Sequence, residues 1–178
     1  MAKQVLILSS SPRKGGNSDT LCDQFLAGAL KGGHTAEKVF LRDKHIQFCT
    51  GCGACFKSGK CSQKDDMKDV LEQMVRADVI VMATPVYFYT MAAQMKLLID
   101  RCCARYQEIS GKEFYFIVAA ADGSKKAMHR TLEGFRGFTS CLDGAQEKGV
   151  VYGTGAWEVG AIQGSTALKE AYQMGLSV

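Results

Sequence analysis

Five short apolar runs, each separated from the next by a stretch of helical spacing, constrain this chain more than any other feature. Val5–Leu8 and Val79–Ala83 are continuously apolar, Phe114–Ala121 nearly entirely so, and Val150–Tyr152 is the last and shortest. Thr35–Leu41 completes the set with Ala36, Val39, Phe40 and Leu41. A run without polar alternation belongs to a strand covered on both faces by helices. Between the runs, Leu21, Phe25, Leu26, Ala29 and Leu30 recur at helical spacing from residue 17 to about 31, where Gly32-Gly33 stop the helix. Met67, Val70, Leu71 and Met74 mark a second helix to about 76, and Met95, Leu98, Ile99 and Cys102 a third over 91–105. Residues 125–147 read as mostly helix interrupted near Gly134 and Gly137, and 165–174 as a closing helix. The strand at 79–83 is expected to end at Thr84-Pro85, because proline cannot donate to a ladder. This alternation predicts an α/β fold with a parallel sheet covered on both faces. No repeat or linker interrupts it, so 1–178 reads as a single domain with a cysteine-rich loop at 49–61. In such sheets a ligand lies beyond the carboxyl ends of the strands, here the turns at 9–17, 84–91 and 121–124.

Composition narrows the function classes. An apolar share of 47% and a charged share of 22% describe an ordinary globular protein, and the net charge of +4 comes from scattered Lys and Arg. No nucleic-acid or membrane-surface role has specific support. No apolar run reaches membrane-spanning length, and Met1–Gln4 leads into a strand without a signal-peptide layout. Eight cysteines without an export signal argue for reduced thiols or metal ligands, with the cytoplasm as the expected address. His34, His45 and His129 are isolated, Asp65-Asp66 read as charge at a helix start, and Asp100-Arg101 as a structural pair. No side chain is assigned as a catalytic acid or base.

Two of the turns carry chemistry. Ser9-Ser10-Ser11-Pro12-Arg13-Lys14-Gly15-Gly16-Asn17-Ser18 joins the first strand to the first helix. The first amides of a helix lack intrahelical partners, and the dipole adds positive charge there. Ser11, Ser18 and Thr20 offer hydroxyls, Asn17 an amide, and Arg13 a cationic fork suited to phosphate oxygens. An ordinary Ser/Gly turn capped at Asn17 or Ser18 is the plainer alternative. The second turn, Thr84–Met91, holds Tyr87, Phe88 and Tyr89 in succession. Three consecutive aromatics cannot all enter one core, so some cover a planar ligand, the loop itself or an oligomer interface.

These two turns, with Thr84–Arg101 as a whole and the ending Gly153–Glu158 and Leu168–Tyr172, resemble the flavodoxin-like NAD(P)H-dependent FMN reductase superfamily. The resemblance covers essentially the whole chain. It implies a three-layer sandwich around a five-stranded parallel sheet of order 2-1-3-4-5, and FMN bound without a covalent link. It further implies that Ser11, Arg13, Asn17, Ser18 and Thr20 hold the phosphate, that Pro85, Val86, Tyr87 and Phe88 border the isoalloxazine, and that Asp122 and Gly123 border its other side. Many relatives have Gly where this chain has Ser10, a departure that bears on the backbone freedom of the turn.

The loop Cys49–Cys61 reads C-x2-C-x2-C-x5-C. Four thiolates within so few residues, with glycines between, can converge on one cluster. The first three match bacterial ferredoxin spacing; the fourth is farther away and is not followed by proline. Zinc fits less well, because structural zinc sites pair two separated knuckles. The motif is similar to that of the iron–sulfur flavoproteins, which implies a [4Fe–4S] cluster on Cys49, Cys52, Cys55 and Cys61, electron transfer between cluster and FMN, and an oligomer. A loop of free or disulfide-linked thiols stays open as the alternative. Cys22, Cys102, Cys103 and Cys141 fall on helical patterns and read as core thiols. The expected activity is that of an FMN-dependent oxidoreductase, with NAD(P)H or reduced ferredoxin as donor, a small-molecule acceptor, and a homodimer or homotetramer as the assembly. A cluster-free NAD(P)H-dependent FMN or quinone reductase and a non-enzymatic electron carrier are the alternatives.

Overall fold

The structure, a computed structural model, describes all 178 residues. The elements run β1 (Gln4–Ser9), α1 (Asn17–Lys31), β2 (Thr35–Phe40), α2 (Ala54–Ser58), α3 (Met67–Arg76), β3 (Val79–Tyr87), β4 (Thr90–Met91), α4 (Ala93–Arg101), β5 (Glu113–Ala119), α5 (His129–Thr139), β6 (Gln146–Gly153) and α6 (Thr166–Leu176). Across the sheet the order is β2-β1-β3-β5-β6, with every neighbouring pair parallel. That is the expected 2-1-3-4-5 order of five parallel strands. The sixth strand, β4, only adds a short antiparallel hairpin to the far end of β3.

Two apolar cores cover the two faces. Alternate residues of each strand point to opposite sides. Leu6 and Leu8 of β1, Ile80 and Met82 of β3, and Phe114 and Phe116 of β5 pack under α3, α4 and α5. Val5, Ile7, Val79, Val81 and Ile117 pack on the other face, beneath α1 and α6. Those two helices cross at glycines. A Cβ on Gly28 would lie 2.1 Å from the carbonyl oxygen of Tyr172, and one on Gly175 2.1 Å from that of Phe25. Only a residue without a side chain permits this backbone-to-backbone approach. No helix is long and apolar enough to cross a membrane.

Four local expectations need correction. β3 does not stop at Thr84-Pro85 but runs to Tyr87. Ala83 directs its carbonyl to Ser10 N, 2.9 Å away, on the β1 side. Two residues on, Pro85 faces that same side, but β1 has ended at Ser9, so no ladder partner waits for the missing N–H. Pairing with β5 meanwhile continues to Pro85↔Ala119. β6 begins at Gln146, well before Val150. It is the edge strand, and its exposed start carries Glu147, which accepts two bonds from Arg136, each 2.8 Å, in place of apolar packing. α5 passes through Gly134 and Gly137 without interruption. Gly134 faces Met91, whose Cε would lie 2.8 Å from an added Cβ, so it serves a close approach to the hairpin. α1 takes Gly16 as its N-cap, with no side-chain cap from Asn17 or Ser18.

Candidate functional site

The carboxyl ends of β1, β3 and β5 open onto one cavity of about 410 Å³. Its first wall is the turn after β1, lined by Ser11, Arg13, Asn17 and Ser18. Asp19, which sequence reasoning passed over, braces that turn from beneath. Its carboxylate accepts from Ser9 Oγ at 2.9 Å and from Gly15 N at 3.0 Å. Lys38 closes the charge, pairing with Asp19 at 2.9 Å and with Asp23. Burial works against the Lys38 ammonium, but its bonds to Asp23 and Asp19 hold its pKa above the ordinary lysine value. The turn is therefore rigid, and Ser11 Oγ locks onto the backbone of Arg13, donating to its carbonyl at 2.8 Å and accepting from its N–H at 3.1 Å.

Two side chains of this wall stand apart. Ser18 Oγ is buried and has no hydrogen-bond partner. A buried hydroxyl without a partner is costly, and here it sits in the first turn of α1, where the leading amides also lack intrahelical partners. An anion at this point would satisfy both. Asn17 does something the sequence did not reveal. Its Nδ2 donates to Ala156 O at 3.1 Å and Glu158 O at 2.8 Å, and its Oδ1 accepts from Ile162 N at 3.2 Å. The amide thus fastens the loop after β6 across the cavity rather than standing free. Thr20 lies outside the lining and donates to Gly15 O at 3.3 Å.

The second wall is Pro85, Val86 and Tyr87 from the end of β3, with Ala119 and Ala121 after β5. Thr84 sets its shape: its buried hydroxyl donates to Pro85 O and accepts from Ala92 N, both at 2.9 Å. Phe88 and Tyr89 form the tip of the β3–β4 hairpin with φ of +49° and +65°. Phe88 is 99% exposed and lies off the cavity lining. The third wall, missed by the sequence reading of the site, is Ala156, Trp157 and Glu158, with Trp157 71% exposed over the opening. Asp122 and Gly123 do not line this cavity. Asp122 supports it from outside, its carbonyl accepting from Gly155 N at 2.9 Å. The result is a slot with a cationic, amide-rich end and an aromatic, backbone-lined end.

The cysteine loop lies apart from this lining. Cys49 and Cys52 are exposed, and Cys55 and Cys61 are partly covered. Gly51 and Gly53 take φ of +65° and +70°, the left-handed turns that bend the loop back on itself. Cys52 Sγ lies 3.5 Å from Ser62 Oγ, and that contact lowers the Cys52 pKa. No group of three or more His, Cys, Asp or Glu side chains is gathered as a metal site. A fifth thiol joins them. Cys103, read from sequence as a core residue, faces Cys55 and Cys49, and burial followed by these two neighbours raises its pKa. Cys22 and Cys102 are core thiols as expected, whereas Cys141 is exposed.

Arg101 holds the two ends of the loop together. Its partner is Asp65, at 2.7 Å and 3.0 Å, and not Asp100, which instead takes Lys96 at 2.5 Å. The Arg101 side chain is 2% exposed and that of Asp65 0%. Arg101 also donates to Gln47 O at 2.6 Å before the loop and to Cys61 Sγ at 3.4 Å at its end. Burial opposes the Asp65 charge, but the guanidinium and the N–H groups of Gln47 and Met67 outweigh it and hold the carboxyl below its usual range.

The model of the NADPH-dependent FMN reductase family matches residues 4–156. The chain belongs to this family. An iron–sulfur flavoprotein of Archaeoglobus fulgidus is 42% identical over 99 residues, covering 56% of this chain and 44% of that protein. A second iron–sulfur flavoprotein, from Methanocaldococcus jannaschii, is 39% identical over 98 residues, 55% of this chain and 51% of the relative. The chain thus spans about half the length of the curated relatives it matches. Among solved structures, the Trp repressor binding protein of Bacillus subtilis superposes with a TM-score of 0.73 at 25% identity, covering 97% of this chain and 99% of that one. For an FMN reductase family member, the slot at the ends of β1, β3 and β5 is where the topology puts a ligand.

Proposed function

We propose that this chain is an FMN-dependent oxidoreductase, with the FMN phosphate on the Ser11–Ser18 turn and the flavin ring against Pro85, Val86 and Tyr87. The observation that carries the reading is the buried, partnerless Ser18 hydroxyl beside Arg13 and the first amides of α1. The residues present fit the group: a polar, cationic end for a dianion and a planar, aromatic-edged end for a ring system. Bound there, FMN would accept a hydride and return electrons singly or in pairs. The chain's own residues anchor, orient and shield. Arg13 and Ser18 hold the phosphate, Asn17 keeps the Ala156–Glu158 loop across the slot, and Thr84 fixes the backbone on which the ring rests. Of the other expected contacts, Ser11 serves through the turn, whereas Thr20, Phe88, Asp122 and Gly123 lie outside the lining.

The finer reading assigns a [4Fe–4S] cluster to Cys49, Cys52, Cys55 and Cys61, exchanging electrons with the flavin, with NAD(P)H or reduced ferredoxin as donor, a small-molecule acceptor and a homo-oligomeric assembly. Four thiols on one glycine-bent loop and the relatives named iron–sulfur flavoproteins support it. A cluster-free NAD(P)H-dependent FMN or quinone reductase is the second reading, supported by the match to the NADPH-dependent FMN reductase family. Anaerobic purification with iron, sulfide and FMN assays separates them. The first reading expects iron and sulfide together with FMN, and a broad visible band that Cys52→Ser abolishes. Protein with FMN but no iron leaves the reductase alone, and protein that binds neither overturns both.

A further inference from the structure

Arg101, which closes α4, makes contacts that its ion pair with Asp65 does not explain. Two edges of the guanidinium are in use. Nη1 and Nη2 together face Asp65, at 2.7 Å and 3.0 Å, and Nη1 also reaches Gln47 O and Gln63 Oε1. Nε and Nη2 share the other edge, and there Nη2 meets Cys61 Sγ at 3.4 Å. Nε, in a side chain that is 2% exposed, is buried without a hydrogen-bond partner. A buried charged donor left unpaired is costly, and a neutral thiol is too weak an acceptor to satisfy a guanidinium edge.

That edge fits an anionic sulfur. A thiolate bound to iron accepts strongly from charged donors, and one at Cys61 would take both N–H groups. The four loop thiols are unequal in this respect. Cys61 accepts from a cation, whereas Cys52 meets Ser62 Oγ at 3.5 Å and no cationic donor reaches Cys49 or Cys55. Other nearby cations do not take over the role. Arg105 is committed to Glu72 and Glu108. Lys60, Lys64 and Lys68 are exposed around a cavity of about 760 Å³ that Cys61 and Arg101 also line.

We propose that Arg101 is a positioning residue for the iron–sulfur cluster, donating from Nε and Nη2 to the Cys61 thiolate and raising the cluster's reduction potential. The inference deepens the cluster reading of the cysteine loop and rests on it. Reduction adds one electron to the cluster and spreads negative charge onto its sulfurs. A donor fixed at Cys61 therefore stabilises the reduced form more than the oxidised one. Burial sharpens the effect, because little water competes for the sulfur beside a side chain that is 2% exposed. Asp65 holds the guanidinium in place, so that the Cys61 edge does not depend on the loop alone.

The test uses the full chain purified anaerobically from cells fed ¹⁵N-arginine and reduced with dithionite. Pulsed electron paramagnetic resonance should show a ¹⁵N coupling to the reduced cluster in wild type. The coupling should vanish in Arg101→Lys, which keeps a cation for Asp65 but loses the Nε–Nη2 edge. Potentiometric titration should find reduction of the Arg101→Lys cluster about tenfold less favourable, about 59 mV lower for one electron. Asp65→Asn, which keeps the donor and removes a neighbouring negative charge, should shift the potential upward. Loosening of the loop alone would move both variants in the same direction and overturns the proposal. An unchanged potential in Arg101→Lys, or a wild-type cluster without an arginine coupling, overturns it as well. The wild-type spectrum decides even where Arg101→Lys folds poorly. Protein that holds FMN but neither iron nor sulfide overturns the cluster reading and this inference with it, whereas a loaded cluster indifferent to Arg101 overturns this inference alone.

Discussion

Replacing Arg101 by Met is the perturbation whose effect the structure defines best. The guanidinium is 2% exposed and spans both ends of the cysteine loop, reaching Gln47 O at 2.6 Å, Asp65 at 2.7 Å and 3.0 Å, and Cys61 Sγ at 3.4 Å. Met retains much of the apolar volume but leaves the Asp65 carboxylate, 0% exposed, with only Gln47 N at 2.9 Å and Met67 N at 3.1 Å. Removing one member of a buried ion pair costs about 3–5 kcal/mol, mostly for the charge left behind. At about 2–4 °C per kcal/mol for a domain of this size, the melting temperature should fall by about 6–20 °C. Arg101→Met/Asp65→Asn, which strands no charge, should recover a large part of that loss. The assay is thermal and guanidinium unfolding followed by circular dichroism, paired with the rate at which a thiol reagent labels Cys49, Cys52 and Cys61. Labelling should accelerate in Arg101→Met even well below the melting transition, because the loop ends are no longer tied. A loss below about 1 kcal/mol, typical of exposed pairs, would refute the reasoning, as would a double variant no better than the single.

Three further outcomes follow from single contacts. Gly28→Ala should destabilise the fold by about 2–3 kcal/mol by wedging α1 from α6, measured as a shift in the denaturant midpoint; an unchanged midpoint would mean the helices do not cross as described. Phe88→Asn should stabilise by about 0.5–1 kcal/mol, since Asn tolerates positive φ and an exposed Phe gives up no burial; a lower melting temperature would contradict the strained-hairpin account. Because Asp65 titrates below its ordinary value in the folded chain, its stabilising contribution is complete above the unfolded carboxylate pKa of about 4 and disappears as pH falls through the lower folded value. Wild type should therefore lose stability below about pH 4 more steeply than Arg101→Met/Asp65→Asn, and parallel curves would remove Asp65 from the acid response.

The five parallel strands and the strand–turn–helix at residues 5–31 were legible because both are written locally, whereas the strand order was what the family resemblance implied. A buried strand such as Val79–Ala83 announces itself by continuous apolarity, and a strand–turn–helix with Arg13 and Ser18 carries its chemistry within ten residues. What escaped depends on distant partners. Pro85 looked like a strand end because its sequence does not say that β1 stops first. Gln146–Lys148 looked helical or loop-like because an edge strand need not be apolar. Asn17 looked like a ligand donor, yet its amide is committed to carbonyls well over a hundred residues away. Trp157 and Glu158 enter the slot only because that bond folds their loop over it. Cys103 was likewise assigned to the core by helical periodicity and Arg101 to a pair with Asp100, while the fold turns the first toward the cysteine loop and uses the second to fasten it.

The most direct test of the central claim is titration of FMN-free full-length chain with FMN, followed by flavin fluorescence, on wild type and Arg13→Ala. The account predicts saturable quenching at one FMN per chain, weakened about tenfold or more without the Arg13 fork. Flavin fluorescence that stays unquenched with FMN in excess, or that responds identically in both proteins, would contradict it.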